Sequence, residues 1–313
     1  MPTLGEIAQN SNIKAEFTWN EPLARHTSYR MGGPAELFAR PGDVASALAL
    51  VVAARASGIP LFVLGGGANI LVGDRGIRGL VMDTSGLRDV KAEGRTLVAG
   101  AGMPMDELCL QALAAGLGGL EDFTGLPGSV GGAVYMNARC YEREMSQVLA
   151  WVSSAGPDGD IERHSFETGT AQGWSYKRSP WQPGGARAGE LVLEAAFHVE
   201  PADDEGAARI ARVMRGRRAD REAKGHYRLP SAGSVFKNDR AFGAPTGVIL
   251  DRLGMRGRRI GDAMVAPWHA NIFVNAGQAT AADMRGLIEL AQDEARGRLG
   301  LELETEVLMV GDF

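Results

Sequence analysis

The sequence predicts an α+β protein built from more than one packed unit. Three observations carry that expectation: helical and extended periodicities alternate without an internal repeat, glycine gathers into blocks, and Pro201-Ala202-Asp203-Asp204 breaks the chain before a basic helix. Ala35 to Ala39 reads as a strand, and Asp43, after the Pro41-Gly42 turn, is placed to cap a helix through about Ser57. Val44, Ala47, Leu48 and Val51 give that helix its apolar face, and Gly58 ends it. Leu61 to Leu64 is a short buried-type strand, Gly65-Gly66-Gly67 interrupts the chain before Ile70-Leu71-Val72, and Gly79 to Met82 is extended again, a β-α-β-β order.

Thr96 to Val98 reads as extended and Met105 to Ala115 as helical, with Gly116 suited to the C-terminal cap. The second glycine block runs from Gly125 to Ala138, and strands are expected over Val148 to Ser153 and Leu191 to Val199, either side of a polar stretch holding Tyr176-Lys177-Arg178-Ser179. Past Pro201 come a basic helix to about Arg221, the segment Ser231 to Asn238, and a helix from Ala281 to Arg296 opened by Thr280 and Asp283 in capping-box spacing. LELETEVLMV alternates strictly enough to predict a strand, with Glu302, Glu304 and Glu306 on one face and Leu301, Leu303 and Val307 on the other.

Composition narrows the class of function. The 313 residues are 45% hydrophobic and 23% charged, as expected of a globular protein with a sizeable core. A formal charge of -5 gives no support to a nucleic-acid or anionic-membrane partner, so any anion must be held locally. The two cysteines, Cys109 and Cys140, lie in no metal-ligand spacing, which points to a reducing compartment and no metal site. With no signal-like N-terminal run and no span of the roughly 20 apolar residues a membrane crossing needs, a cytoplasmic protein is expected.

Three glycines directly after a buried-type strand leave backbone N–H groups unshielded, which suits a diphosphate as well as a tight turn. GGGAN has neither the GxGxxG spacing nor a following Gly-Lys-Ser/Thr. Gly125, Gly128, Gly131 and Gly132 exceed what one turn needs, and two such loops fit a long cofactor gripped along its length, as FAD would be.

HTSYRMGGPA (26–35), VLGGGANILV (63–72), GLPGSVGGAVYMNA (125–138), AGSVFKN (232–238) and LETEV (303–307), in that order, resemble the UDP-N-acetylenolpyruvoylglucosamine reductase (MurB) family over about Phe17 to Val310. The resemblance implies an FAD-binding region of the vanillyl-alcohol oxidase type over 1–200, in subdomains of about 1–85 and 86–200, then a substrate-binding α+β domain over 201–313. It implies non-covalent FAD against Gly65, Gly66, Gly67, Ala68, Asn69, Pro127, Gly128, Ser129 and Gly132. NADPH is the implied co-substrate and a UDP-sugar the substrate, reduced in peptidoglycan precursor synthesis by a monomer. The run from Ser234 to Glu306, read as holding one helix and a few short strands, resembles the shorter form of the family, without an inserted tyrosine loop.

Hydride addition to the distal carbon of an enol ether conjugated with a carboxylate places extra negative charge on that carboxylate and calls for a proton at the other carbon. The resemblance assigns the proton to Ser234, beside Gly233 where a larger side chain would block approach, and assigns Glu306 to polarise the substrate carboxylate or act as an acid. The bland readings are a Gly-Ser turn and a solvated strand face. Tyr176-Lys177-Arg178-Ser179 carries Lys177 where the family has arginine, and lysine lacks the planar fork that matches a carboxylate. Lys177 as a point charge, Arg178 after a register change, or Arg139 in compensation with Lys177 are the open alternatives. For the substrate, Tyr176, Arg178, Arg228, Lys237, Asn238 and Asn271 are the expected contacts, with His269 ranked lower and Arg221 and Lys224 equally well explained as a solvated helix face. An FAD-linked alcohol oxidase and a non-catalytic nucleotide-sugar sensor are the competing functions.

Overall fold

In a computed structural model, which describes residues 2–166 and 173–313, the chain divides into two compact units. The polar stretch expected around Tyr176 therefore lies partly outside the described residues, at 167–172. Unit 1 comprises Met1–Trp19, Leu37–Gly66 and Gly79–Ala219; unit 2 comprises Asn20–Glu36, Gly67–Arg78 and Asp220–Phe313. The units are thus not successive along the chain, and their last division falls after Ala219 instead of at the Pro201 break. The reason is the helix Asp204–Ala223: Ile210 and Met214 sit in the unit 1 core, Arg217 reaches Asp122 Oδ1 at 2.7 Å, and Arg218 reaches Asp106 Oδ2 at 2.6 Å.

Unit 1 contains a five-stranded antiparallel sheet in the order Ile161–Ser165, Leu149–Ala155, Leu191–His198, Thr96–Gly100, Val90–Glu93. The helices Met105–Ala114 and Val130–Tyr135 share a core with it that includes Leu108, Phe123, Val134 and Phe197. Its other core gathers Leu37, Leu50, Leu80 and Met82, where the helix Val44–Ala56 covers the parallel pair Leu61–Leu64 and Ile77–Asp83. Asp43 caps that helix, accepting from Ser46 N at 2.8 Å, as its position after a Pro-Gly turn requires. The first glycine loop leaves the C-terminal end of Leu61–Leu64.

Unit 2 is built on the antiparallel sheet Ser231–Ser234, Ile272–Asn275, Ala263–Val265, Arg259–Ile260. The helix Ala281–Leu299 packs Met284, Leu287, Ile288 and Ala291 into its core, and Thr280 and Asp283 form the expected reciprocal cap. Asp74 adds a second cap, its carboxylate accepting from Ala281 N at 2.7 Å and Ala282 N at 2.9 Å. Between Ser234 and Glu306 lie two α-helices, Thr246–Arg252 and Ala281–Leu299, one more than the sequence suggested, and a short 3-10 helix, Arg240–Phe242.

The C-terminal alternation requires a correction. Leu303 and Val307 are buried and Glu302 and Glu304 exposed, as periodicity demands, yet only Leu308–Val310 forms a strand, paired in parallel with Ile70–Val72. Residues 301–307 make a single bridge, Phe236↔Thr305, so the segment alternates without a ladder. Burial follows side-chain pattern, whereas a ladder also needs a partner strand of matching length.

Candidate functional site

In unit 1 the two glycine blocks meet. A Cβ on Gly66 would stand 2.5 Å from Gly128 Cα and 2.9 Å from Ser129 N, and one on Gly65 would stand 2.6 Å from Ser129 Oγ. Ser129 caps the helix Val130–Tyr135, and its hydroxyl accepts from the amides of Gly132 and Gly66, each at 3.3 Å. Gly128 has φ +102°, a conformation side-chain-bearing residues avoid. Gly66 and Pro127 are exposed and Gly65, Gly128 and Gly132 half-buried. The result is a seam of bare backbone at the surface of the unit.

Unit 1 also holds the expected cation. Ser175 and Arg178 close a tight turn, Ser175 N to Arg178 O at 3.1 Å and Arg178 N to Ser175 O at 2.9 Å, with Lys177 at φ +59°. Both flanks are pinned: Asn137 Nδ2 donates to Ser175 O at 2.9 Å, Ser179 Oγ to Tyr135 O at 2.7 Å, and Gln182 Nε2 to Lys177 O at 3.0 Å. A register change that would swing Arg178 into the place of Lys177 breaks several of these bonds together. Tyr176 and Lys177 are half-buried and Arg178 exposed. The expected compensating pair of Arg139 and Lys177 finds no support: Arg139 folds back on its own hairpin, donating to Glu142 Oε2 at 3.0 Å and Tyr141 O at 3.3 Å, with Glu144 at 3.9 Å.

In unit 2, Ser234 ends its strand one residue after Gly233, which has φ +74° and open space where a Cβ would stand. Glycine is required there by the backbone, and nothing in the unit obstructs the approach it leaves. Ser234 is half-buried, and among the described residues its hydroxyl makes no hydrogen bond. The neighbouring peptide carries Glu306: its amide donates to Val235 O at 2.7 Å, and Asn69 Nδ2 donates to Glu306 O at 3.0 Å. Of the three alternating glutamates, Glu302 binds Arg296 at 2.7 Å and Glu304 binds Lys237 at 2.6 Å; Glu306 is the half-buried one.

Gly67, Ala68 and Asn69 belong to unit 2. Gly67, at φ +61°, would press a Cβ to 1.9 Å from His26 O, so a close backbone approach already accounts for it.

The expected substrate contacts divide. Lys237, with its ammonium on Glu304, and Asn238, whose Oδ1 accepts from Thr246 N at 2.9 Å, follow Ser234 closely along the chain. Arg228 lies 5.2 Å over the Trp268 ring, and burial, then the charges of Arg221, His269 and Lys224, lower the His226 pKa to about 4. Asn271 does not fit the role expected of it: it is 2% exposed and its carboxamide is spent on Phe236, accepting from N and donating to O at 2.9 Å each.

Comparison with known proteins settles the family. The profile described as "UDP-N-acetylenolpyruvoylglucosamine reductase, C-terminal domain" matches residues 225–310, and that described as "FAD binding domain" matches 35–165. The UDP-N-acetylenolpyruvoylglucosamine reductase of Treponema denticola is 38% identical over 100% of both chains, and that of Rubrobacter xylanophilus is 41% identical over 94% of this chain and 95% of its own. The chain belongs to the UDP-N-acetylenolpyruvoylglucosamine reductase family. The crystal structure of the Thermus caldophilus family member superposes with a TM-score of 0.77 at 30% identity, over 95% of this chain and 99% of that one.

The residues present fit the FAD this family uses. The backbone seam at Gly65, Gly66, Gly128, Ser129 and Gly132 lies within the matched FAD-binding domain, and closely packed amides free of side chains are what a diphosphate requires. Two residues that contact the expected site side chains or their turns were not singled out in the sequence. Asn137, fully buried at φ +41°, joins the Lys177 turn to Glu144 at 3.1 Å; a lone polar residue inside a buried run was the available signal. Glu304 was hidden among identical neighbours.

Proposed function

We propose that this chain reduces the enolpyruvyl double bond of UDP-N-acetylglucosamine enolpyruvate to give UDP-N-acetylmuramate, with NADPH as reductant, in peptidoglycan precursor synthesis. When bound, FAD would supply the hydride chemistry, between NADPH and the distal carbon of the double bond. The chain's own part begins with holding that group: the seam of Gly65, Gly66, Pro127, Gly128, Ser129 and Gly132 presents amides to its diphosphate, and the backbone of Gly67, Ala68 and Asn69 continues the loop.

Ser234 Oγ donates the proton to the carbon that bears the ether oxygen. The observation that carries this role is a half-buried hydroxyl that makes no hydrogen bond among the described residues, beside an open Gly233 and next to the peptide of Glu306. A hydroxyl already bonded within the chain would have to break that bond first. Glu306 polarises the substrate carboxylate, and Lys177 supplies a positive charge for the same group as a point charge, without the bidentate geometry of arginine. Tyr176, Arg178, Arg228, Lys237 and Asn238 bind the sugar nucleotide, with Lys237 exchanging Glu304 for phosphate.

A cytoplasmic monomer is part of this proposal. No helix among the described residues is long and apolar enough to cross a membrane, and the net charge of -5 offers no general attraction to anionic surfaces. The test is anaerobic stopped-flow spectroscopy. NADPH bleaches the yellow holoenzyme, and the enolpyruvyl sugar nucleotide then restores the colour. Ser234→Ala is expected to leave the first half-reaction within about twofold and slow the second by orders of magnitude. Equal loss of both removes the proton-donor role.

A further inference from the structure

Ser234 is the last paired residue of its strand, and what fixes its hydroxyl lies beyond the ladder. Ser231 pairs with Val274 and Ser234 with Ile272, so three steps on one strand answer two on the other. This one-residue bulge turns Ser234 out at the end of the sheet. The three residues that follow have no neighbouring strand on the Ile272 side. There Val235 N donates to Asn271 O at 2.8 Å, and both polar atoms of the Phe236 peptide go to the Asn271 side chain, N to Oδ1 and Nδ2 to O, each at 2.9 Å. On the opposite side, Val235 O accepts from Glu306 N at 2.7 Å and Lys237 N donates to Glu304 O at 2.9 Å.

We infer that Asn271 is a positioning residue for proton transfer: its carboxamide stands in for a missing strand and fixes Ser234 and Glu306 relative to each other through the Val235 peptide. The inference rests on the reading of Ser234 as proton donor. Asn271 is 2% exposed and Val235 and Phe236 fully buried, so no water is at hand to replace the amide and the carboxamide does not touch substrate. Only a side chain of this length with an acceptor and a donor on one carbon satisfies both Phe236 groups; carboxylate supplies two acceptors and sets one against Phe236 O.

Asn271→Asp therefore gives a distinctive test. As the neutral acid the aspartate donates to Phe236 O and accepts from Phe236 N; as the anion it repels that carbonyl, and burial shifts the exchange upward from the ordinary carboxyl range. The titratable groups around this contact are His269, whose Nδ1 accepts from Asn271 N at 3.1 Å, and Glu304, Glu306 and Lys237 across Phe236. Burial is the main cause holding His269 below its ordinary pKa, which favours its neutral ring.

In the flavin-loaded enzyme, reoxidation by the enolpyruvyl substrate is expected to slow about 100-fold at pH 8 in Asn271→Asp and to recover at pH 6, because a misplacement of about 1 Å has that effect on a positioned group. Asn271→Ala should be slow at both pH values. Reduction by NADPH should stay within about twofold in both variants, and the solvent deuterium isotope effect on reoxidation should rise. Loss of flavin in both variants, equal slowing of both half-reactions, or a pH profile parallel to that of the unsubstituted enzyme overturns the inference. Should Ser234→Ala reoxidise normally, the proton-donor reading itself fails; should it be inactive while the Asn271 variants are normal, only the positioning role fails.

Discussion

Substituting alanine for Gly66 asks the most of the two-loop seam. The residue has no positive φ to forbid a side chain, so the effect is steric alone. Its new methyl would stand 2.5 Å from Gly128 Cα, 2.8 Å from Gly128 C and 2.9 Å from Ser129 N, where carbon contacts settle at about 3.5–4.0 Å. All three neighbours are backbone, so no rotamer change relieves the clash and the loops must part by roughly 1 Å. Overpacking of this kind costs about 1–3 kcal/mol, and the bond from Gly66 N to Ser129 Oγ adds about 1 kcal/mol when lost. A total of about 2–4 kcal/mol weakens FAD binding by about 30- to 700-fold.

Titration of flavin-free protein with FAD, followed by flavin fluorescence, measures the change, and circular dichroism reports the fold. Gly216→Ala, in the helix Asp204–Ala223 where a Cβ meets nothing within 4 Å, is the matched control and should bind FAD normally. Affinity within twofold of the unsubstituted protein in Gly66→Ala would show that the contact of the loops has no bearing on the cofactor.

Three further outcomes are expected. Lys177→Ala should slow flavin reoxidation by the enolpyruvyl substrate at least 100-fold by stopped flow, and Arg139→Ala less than threefold, since that guanidinium serves its own hairpin; the reverse ranking would return Arg139 to the site. His226 has its pKa lowered from 6.5 to about 4 in the fold, so the unfolded chain binds a proton that the folded one refuses between those values. Stability falls as pH drops through that window, by on the order of 1–2 kcal/mol once partial exposure is allowed for; urea titrations at pH 7 and 4.5 should show a smaller difference in His226→Gln, and an unchanged difference counts against it. Asp74→Ala removes the second cap of the helix Ala281–Leu299 and should lower unfolding free energy by about 1 kcal/mol in the same assay, while a loss below 0.3 kcal/mol would make the contact incidental.

Local signals carried most of the secondary structure. Asp43 after a Pro-Gly turn and the Thr280–Asp283 box mark their helices because capping acts within three residues, a range one sequence displays. The glycine blocks were legible as unusual, but their reason, that Gly66 faces Gly128, is a pairing across 60-odd residues that no local pattern encodes. LELETEV misled because alternation reports burial and says nothing of whether a partner strand runs alongside. At the candidate site, Ser234 and Glu306 came from motif resemblance, not from periodicity. Asn271 came from the same source with the wrong role, since only coordinates reveal a carboxamide turned inward on Phe236. The interleaving of the units was invisible for the same reason as the seam.

The parallel pairing of Ile70–Val72 with Leu308–Val310 sets an order of events during synthesis. The bond from Asn69 to Glu306 spans 237 positions, so the strand near residue 70 leaves the ribosome long before anything exists to pair with it. Until then an unclosed edge rich in isoleucine, leucine and valine is available to other chains. Ser234 and the peptide that carries Glu306 come together only when that edge closes, so a nascent chain that has emerged past Ala219 but not yet past Val310 already holds every residue of the glycine seam of unit 1 but not the closed pairing beside Ser234.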